Sequence, residues 1–396
     1  MCEATVAGAS ANRRNPIAMN KFDGIYKSVD LASIFANWHP YDQNVKKEAQ
    51  KYKYVVFFGF GVTFFRMLDI WRLNIGKKID YCCDNNSEKW GKSFDGIECI
   101  SYEKLHEIKD ETVVFITMGD FVPVYDQLHS AGFPAIHIIY KYDVEAAPYI
   151  RLSSCQQLTD AAGAARNLLS DSTSIIIIDS VISRSSGANL DILAMPNIYE
   201  KNQYFPDELI KLSGDESYID VGAYDGETIN QFLLKCNKEF EKIYAFELDR
   251  NIFLKLEKNL ENFLRRNDIS LFNIGAWDNR EVITYRSGNF NSAIGEGAES
   301  GSVAPLDDLL KDVRVTYIKM DIEGAEIRAL LGAKKIITAQ KPKLAICVYH
   351  KISHLWEVPL LIHDMLPDHD IFLRHHSPLE YETVCYALPK SDSLIK

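Results

Sequence analysis

Two blocks of apolar runs, each run followed by a segment at helical period, account for most of this chain. In the first block, KYVVFFGFG (53–61) is a continuous apolar run ending in Gly59 and Gly61, and VTFFRMLDIWRL (62–73) carries on at helical spacing. KIDYCCD (78–84) predicts a second strand with Asp84 at its carboxyl end, and a turn-rich piece, NNSEKWGKSFDG, follows. ETVVFITMG (111–119) predicts a third strand, FVPVYDQLHSAG a helix, and PAIHII (134–139) a fourth strand. Strands this apolar are covered on both faces, so the block is a small doubly wound α/β unit.

The second block starts near residue 216. Its strands are YIDVG, KIYAFELD (242–249), ISLFNIGAWD (269–278), a short EVITYR, VTYIKMDIEG (315–324) and PKLAICVYH (342–350), with helical segments interleaved. SGNFNSAIGEGAESGS (287–302) is Gly/Ser-rich and predicts a loop, either a lid or a tolerated insertion. A helix is expected from about Leu306, another over AEIRALLGAKKII, and a third over EVPLLIHDML; DIFLRHHS and YETVCYALP then predict a terminal antiparallel hairpin. The fold class is therefore α/β with two doubly wound Rossmann-like domains. The expected division is a tail and helical lead-in (1–50, with Leu31, Ile34 and Phe35 as apolar spots), a first domain (51–140), a helical connector (141–205) and a second domain (206–396). Within the connector, STSIIIIDSVISRSSG is ambiguous: four isoleucines in a row suit a strand, but the spacing around 178–182 suits a buried helix, the preferred reading.

Composition narrows the function classes. The 396 residues are 47% hydrophobic and 25% charged, as in globular proteins, and the net charge is −11. With no basic run to offset that charge, gripping nucleic-acid backbones or anionic lipid is not expected. Eight cysteines without a C-x-x-C pair indicate reduced thiols, and adjacent Cys82 and Cys83 should point to opposite faces of their strand. No apolar run is long enough for a membrane span. The first twenty residues carry Arg13 and Arg14 with no apolar core after them, so no secretion signal is expected and a cytoplasmic location is.

Candidate chemistry centres on YIDVGAYDGET (218–228), a strand, a glycine turn and a helix opening near Glu227. Such a turn lets a ligand approach the backbone closely. Asp220, Asp225 and Glu227 sit in or beside it and no Lys or Arg of the stretch does, so a pyrophosphate would be repelled. A cofactor with an amino group and a sulfonium suits it, which describes S-adenosylmethionine. In an open α/β sheet, ligands lie beyond the carboxyl ends of the strands. Those ends supply Asp220 and Gly222, then Glu247 for ribose hydroxyls, then Ala276, Trp277 and Asp278 for a flat purine, then Asp321 and Glu323, then His350. His350 and His354 are spaced i,i+4 and His375–His376 lie on a later strand, but no carboxylate is spaced with them, so no metal is expected.

IDVGAYDGET, YAFELD, GAWDN, the LDDLL-to-IKMDIEGAE stretch and LAICVYH together resemble the FkbM-type methyltransferase family over about 202–396, IKMDIEGAE being the most specific piece. The resemblance implies a class I methyltransferase sheet and an S-adenosylmethionine-dependent O-methyltransferase acting on hydroxyls of sugars, glycans or natural products. It also implies that Asp220, Gly222 and Gly226, with Ala223 and Thr228 of the same turn, hold the methionine end. Glu247 would take the ribose and Ala276–Trp277 the adenine side, while Asp321 and Glu323 would face the reacting centre. Asp321 is the expected base or hydroxyl orienter, with His350 as runner-up. The first block looks like the Rossmann-like domain at the N-terminus of some bacterial sugar-modifying enzymes, and a nucleotide-linked sugar is one candidate partner. The alternative is a nucleotide- or nicotinamide-binding protein that uses Gly59, Gly61 and Asp84, with the second domain non-catalytic. A missing third glycine and the lack of a Tyr-x-x-x-Lys pairing weigh against it.

Overall fold

The structure, a computed structural model, describes residues 30–36, 41–138 (apart from 62–63, 66, 69–70, 73–74 and 119–120), 154–185, 199–264, 268–286, 293–294, 297–377 and 381–391. The expectations for the N-terminal tail, for 141–153 and for 186–198 fall outside these residues.

The first unit is one sheet built from β1 (Tyr54–Phe58), β2 (Tyr81–Cys83), β3 (Ser93–Phe94), β4 (Ile97–Ile100), β5 (Thr112–Ile116) and β6 (Ala135–Ile138). Its spatial order is β3-β4-β2-β1-β5-β6, all parallel except β3 against β4. The sequence missed β3 and β4, which lie in and just after the turn-rich piece. Exposed Glu98 interrupts the apolar run of the short IECI strand. Alternation on the sheet separates two cores. Val55, Phe57, Cys82 and Phe115 lie in one, and Val56, Phe58, Cys83 and Ile116 in the other, so the two cysteines do face opposite sides.

Two connector helices follow, Cys155–Leu168 and Ser172–Ser185. The isoleucine run is helical because Ile177, Ile178, Val181 and Ile182 form one buried stripe at helical spacing. This stripe joins the core of the second unit, and Arg374 clamps the start of the helix through Asp171 at 2.7 Å.

The second unit contains β7 (Ser217–Val221), β8 (Lys242–Phe246), β9 (Ile269–Phe272), β10 (Gly275–Ala276), β11 (Glu281–Arg286), β12 (Ala293–Ile294), β13 (Glu299–Ala304), β14 (Tyr317–Met320), β15 (Lys343–Cys347), β16 (His369–His375) and β17 (Thr383–Pro389). Seven of these form the main sheet, in the order β9-β8-β7-β14-β15-β17-β16. β17 alone runs antiparallel to its neighbours, as expected for a terminal hairpin. The Gly/Ser-rich stretch is not simply a loop. Its end forms β13, which pairs antiparallel with β11 from Glu281↔Val303 to Tyr285↔Glu299 in a second, four-stranded sheet. Small residues mask the strand signal there, and Gly301 leaves room for the Leu248 side chain: a Cβ on it would come within 2.5 Å of a Leu248 methyl. In the main sheet the strand order reverses between β7 and β14, which opens a crevice beyond their carboxyl ends.

Candidate active site

The turn after β7 makes one lip of that crevice. Gly222 and Ala223 both donate their backbone N–H to the Phe246 carbonyl, at 2.9 and 3.0 Å, tying the turn to the end of β8. Gly222 has φ +76°, and a Cβ there would lie 1.9 Å from the Asp321 carbonyl oxygen. The glycine is thus demanded by the crossing of the β7 and β14 ends as well as by any ligand. Gly226, at φ +93°, caps the helix Glu227–Lys235. Asp225 accepts from the Glu227 N–H at 3.3 Å, which shapes the turn.

Asp220 departs from expectation. It is fully buried and does not line the cavity, because it is paired across the sheet with Lys319, its register neighbour on β14. The Lys319 ammonium lies 2.9 Å from the Asp220 carboxylate and donates to the Gly222 carbonyl at 2.7 Å. Burial opposes the charge on Lys319, but the adjacent Asp220 outweighs it and holds the ammonium above its usual pKa. The turn therefore does have a cation, supplied by a strand 99 residues further on. No local reading of 218–228 could have found it.

Glu247 leaves β8 and enters the cavity. Its two oxygens accept from the backbone N–H groups of Tyr224 (3.1 Å) and Asp249 (2.8 Å), so it also braces the turn. Each oxygen keeps a second lone pair for a ligand hydroxyl. Burial pushes its carboxyl up to about 7. Asp249, two residues on, caps the helix Arg250–Asn259, accepting from the backbone N–H groups of Asn251 and Ile252. Ala276 and Trp277 line the same end. The Trp277 indole packs against Val303 and Ala325, with the Arg328 guanidinium 4.7 Å above its ring.

The opposite side is built around Asp321. Its carboxylate accepts from the Tyr204 hydroxyl at 2.7 Å and from the Tyr349 hydroxyl at 3.0 Å. Burial, reinforced by the Asp321 charge, keeps both phenols well above their usual pKa, so they remain donors. His350 places Nε2 3.4 Å from Asp321 and 3.7 Å from Glu323, while Nδ1 lies 2.9 Å from Glu326. Burial works against its charge, but Glu326 and then Asp321 outweigh burial and raise the imidazole to about 9. Glu326 in turn also lies 3.2 Å from His354 and accepts from the Ile322 N–H at 3.0 Å. It is the carboxylate partner that sequence spacing did not reveal. Ligand atoms of Asp321, Glu326 and His350 lie within 4.8 Å of one another, a spacing that would suit a cation only with His350 deprotonated; the raised imidazole is itself the positive group there. His375 and His376 are elsewhere: they bond to Thr383 at 2.8 Å and to the Glu200 carbonyl at 2.6 Å.

A cavity of about 650 Å³ joins the two sides. Of the candidate residues, Gly222, Ala223, Thr228, Glu247, Ala276, Trp277, Asp321, Glu323 and His350 line it, and Asp220 and Gly226 do not. The sequence missed Gln203, Tyr204, Lys319, Tyr349 and Glu382. Tyr349 stands at a strand end and was open to discovery, whereas Gln203 and Tyr204 come from an irregular lead-in with no local signal. In the first unit, the Asp84 carboxylate is taken up by its own loop and by the turn after β1. It accepts from the Phe60 and Asn86 N–H groups at 2.9 Å each and from Lys89 at 2.7 Å.

A parallel sheet with one antiparallel strand, a cavity across its switch point and acids at successive strand ends define an α/β methyltransferase fold. Residues 220–376 match the Methyltransferase FkbM domain, and with that domain the protein is a methyltransferase. The fold is shared with the crystal structure of Methyltransferase FkbM from Methylobacillus flagellatus, at a TM-score of 0.72 and 24% identity over 90% of this chain and 97% of that one. Coverage of that extent takes in residues of both units. Smaller likenesses include an rRNA methylase from Streptococcus thermophilus (TM-score 0.29, 16% identity, 45% of this chain and 89% of that one). Another is Aeropyrum pernix fibrillarin in complex with S-adenosyl-L-methionine (TM-score 0.30, 13% identity, 46% and 70%). Comparison with curated proteins gave no match.

Proposed function

We infer that the protein is an S-adenosylmethionine-dependent O-methyltransferase whose acceptor is a hydroxyl of a sugar, glycan or related natural product. The observation that carries this reading is the two-sided cavity. Glu247 and the Gly222 turn lie on one side, and a carboxylate held by two phenols lies on the other.

The cofactor fits the first side. A positive-φ turn leaves backbone exposed, Glu247 retains lone pairs for ribose hydroxyls, and Ala276 and Trp277 offer an apolar wall for a base. The Lys319 charge is neutralised by Asp220, so it does not repel a sulfonium. When bound, S-adenosylmethionine supplies an electrophilic methyl group.

Asp321 then orients the acceptor. A carboxylate has about four acceptor sites, and two are used by Tyr204 and Tyr349, which leaves room for the acceptor hydroxyl. Fixing that oxygen in line supplies much of the rate. Asp321 takes the proton as the new C–O bond forms. His350, protonated at neutral pH through Glu326, is a poor base, and its Nε2 stands 3.4 Å from Asp321.

The reading is tested with Asp321→Asn and His350→Ala in the full chain, after each variant is shown to bind S-adenosylmethionine normally. Asp321→Asn is expected to lose methyl transfer by about 10²-fold or more. Unchanged turnover would remove Asp321 from the mechanism.

A further inference from the structure

Resting on the methyl-transfer reading, we propose that the acceptor is an uncharged, hydroxyl-rich ring compound, a carbohydrate without phosphate, seated against the β14–β15–β17 side of the cavity. That wall presents Gln203, Tyr204, Asp321, Glu323, Tyr349 and Glu382. Three of the six are carboxyl groups. Among the described residues lining the cavity, the only cations are Lys319 and His350. Lys319 is bound to Asp220 and the Gly222 carbonyl, and His350 faces Glu326. A phosphate carried by the acceptor would therefore meet carboxylates rather than a basic clamp, in a site partly closed to screening water.

The field on this wall is already negative. Burial and then the nearby Asp321 charge push the Glu382 carboxyl up to about 7. One more anion here would have to be accommodated against groups that already resist ionising together.

The remaining chemistry suits a sugar ring. The Gln203 amide donates to Glu382, so donor and acceptor groups stand side by side and can engage neighbouring hydroxyls. Tyr204, Tyr349 and Tyr381 add phenol rings that can cover the C–H faces of a ring. Tyr381 also packs against the core cluster of the first unit that contains Phe58 and Phe121, so the first unit backs this wall.

The test uses the full chain with bound S-adenosylhomocysteine, titrated with matched pairs: methyl glycosides and short neutral oligosaccharides against their phosphate monoesters and uridine-diphosphate-linked forms. Labelled S-adenosylmethionine is then used with the same panel for turnover. Uncharged members are expected to bind and accept the label, with their phosphorylated counterparts at least about a hundredfold weaker, given like charges near 4 Å. The Glu323→Gln/Glu382→Gln variant is expected to narrow that gap by about tenfold or more. The proposal is overturned if a phosphorylated or nucleotide-linked member is the better ligand, or if no uncharged member is bound or methylated. Failure to bind S-adenosylmethionine, measured separately, would instead remove the methyl-transfer reading beneath it.

Discussion

The Nδ1 atom of His350 lies 2.9 Å from a carboxylate oxygen of Glu326, and both side chains are buried. Strand β15 delivers the histidine and the first turn of the helix Glu326–Gly332 delivers the acid, so the pair locks a strand end to a helix start. With Asp321 3.4 Å beyond the ring, the imidazolium links a structural carboxylate to the reacting one.

Glu326→Gln should lower the His350 pKa from about 9 towards its ordinary value of 6.5 and reduce stability by about 3 kcal/mol. Because the folded-state pKa is the higher one, the stabilisation is complete below about pH 6.5 and is lost as pH rises through 9. Urea unfolding between pH 6 and 10 checks this: the wild type should weaken over that range, and the variant should be flatter. Identical pH dependence in both would refute the pairing.

Lys319→Met leaves Asp220 buried without its counter-ion and should cost about 3–5 kcal/mol. Adding Asp220→Asn should recover part of that loss, since the uncompensated charge is gone. A double-mutant cycle by thermal or chemical unfolding gives the coupling, and additive losses would show that the two groups act independently.

Glu247→Ala should weaken S-adenosylmethionine binding by about 10- to 100-fold, the usual cost of leaving ligand hydroxyls unpaired, with some loss of turn order. Calorimetric titration measures it. Unaltered affinity would assign Glu247 to bracing the turn alone.

Gly222→Ala must place a Cβ against the Asp321 carbonyl in a backbone conformation that favours glycine. A loss of at least about 2 kcal/mol in stability is expected, with weakened cofactor binding. Since the same step displaces Asp321, turnover should fall further than affinity. A variant that keeps both would show that the strand ends can separate at little cost.

Tyr204→Phe removes one of the two phenol donors to Asp321. Stability should fall by about 1 kcal/mol, and methyl transfer should change more than cofactor affinity. Steady-state kinetics beside a cofactor titration separates the two.

The chain's own residues determined the central strands of the two large sheets, because near-continuous apolar runs such as YVVFF and LAIC have no stable place except a sheet covered on both faces. They also determined the polar groups at the strand ends: the polypeptide must leave the sheet there, and Glu247, Asp321 and His350 stand where it does. What they could not determine is which groups meet across the sheet. Asp220 looked like a ligand contact from its own segment, and register against β14 turned it inward to Lys319. Glu326 opens its helix with nothing in its own segment to distinguish it, and only the packing of the β15 end beside that helix puts two histidines on it. The glycine-rich stretch became a strand because β11 lay within reach of its backbone, a partnership that composition does not encode. Partners far apart in sequence are chosen by topology, and charge pairs in a buried site are chosen by whichever partner the topology brings within about 3 Å.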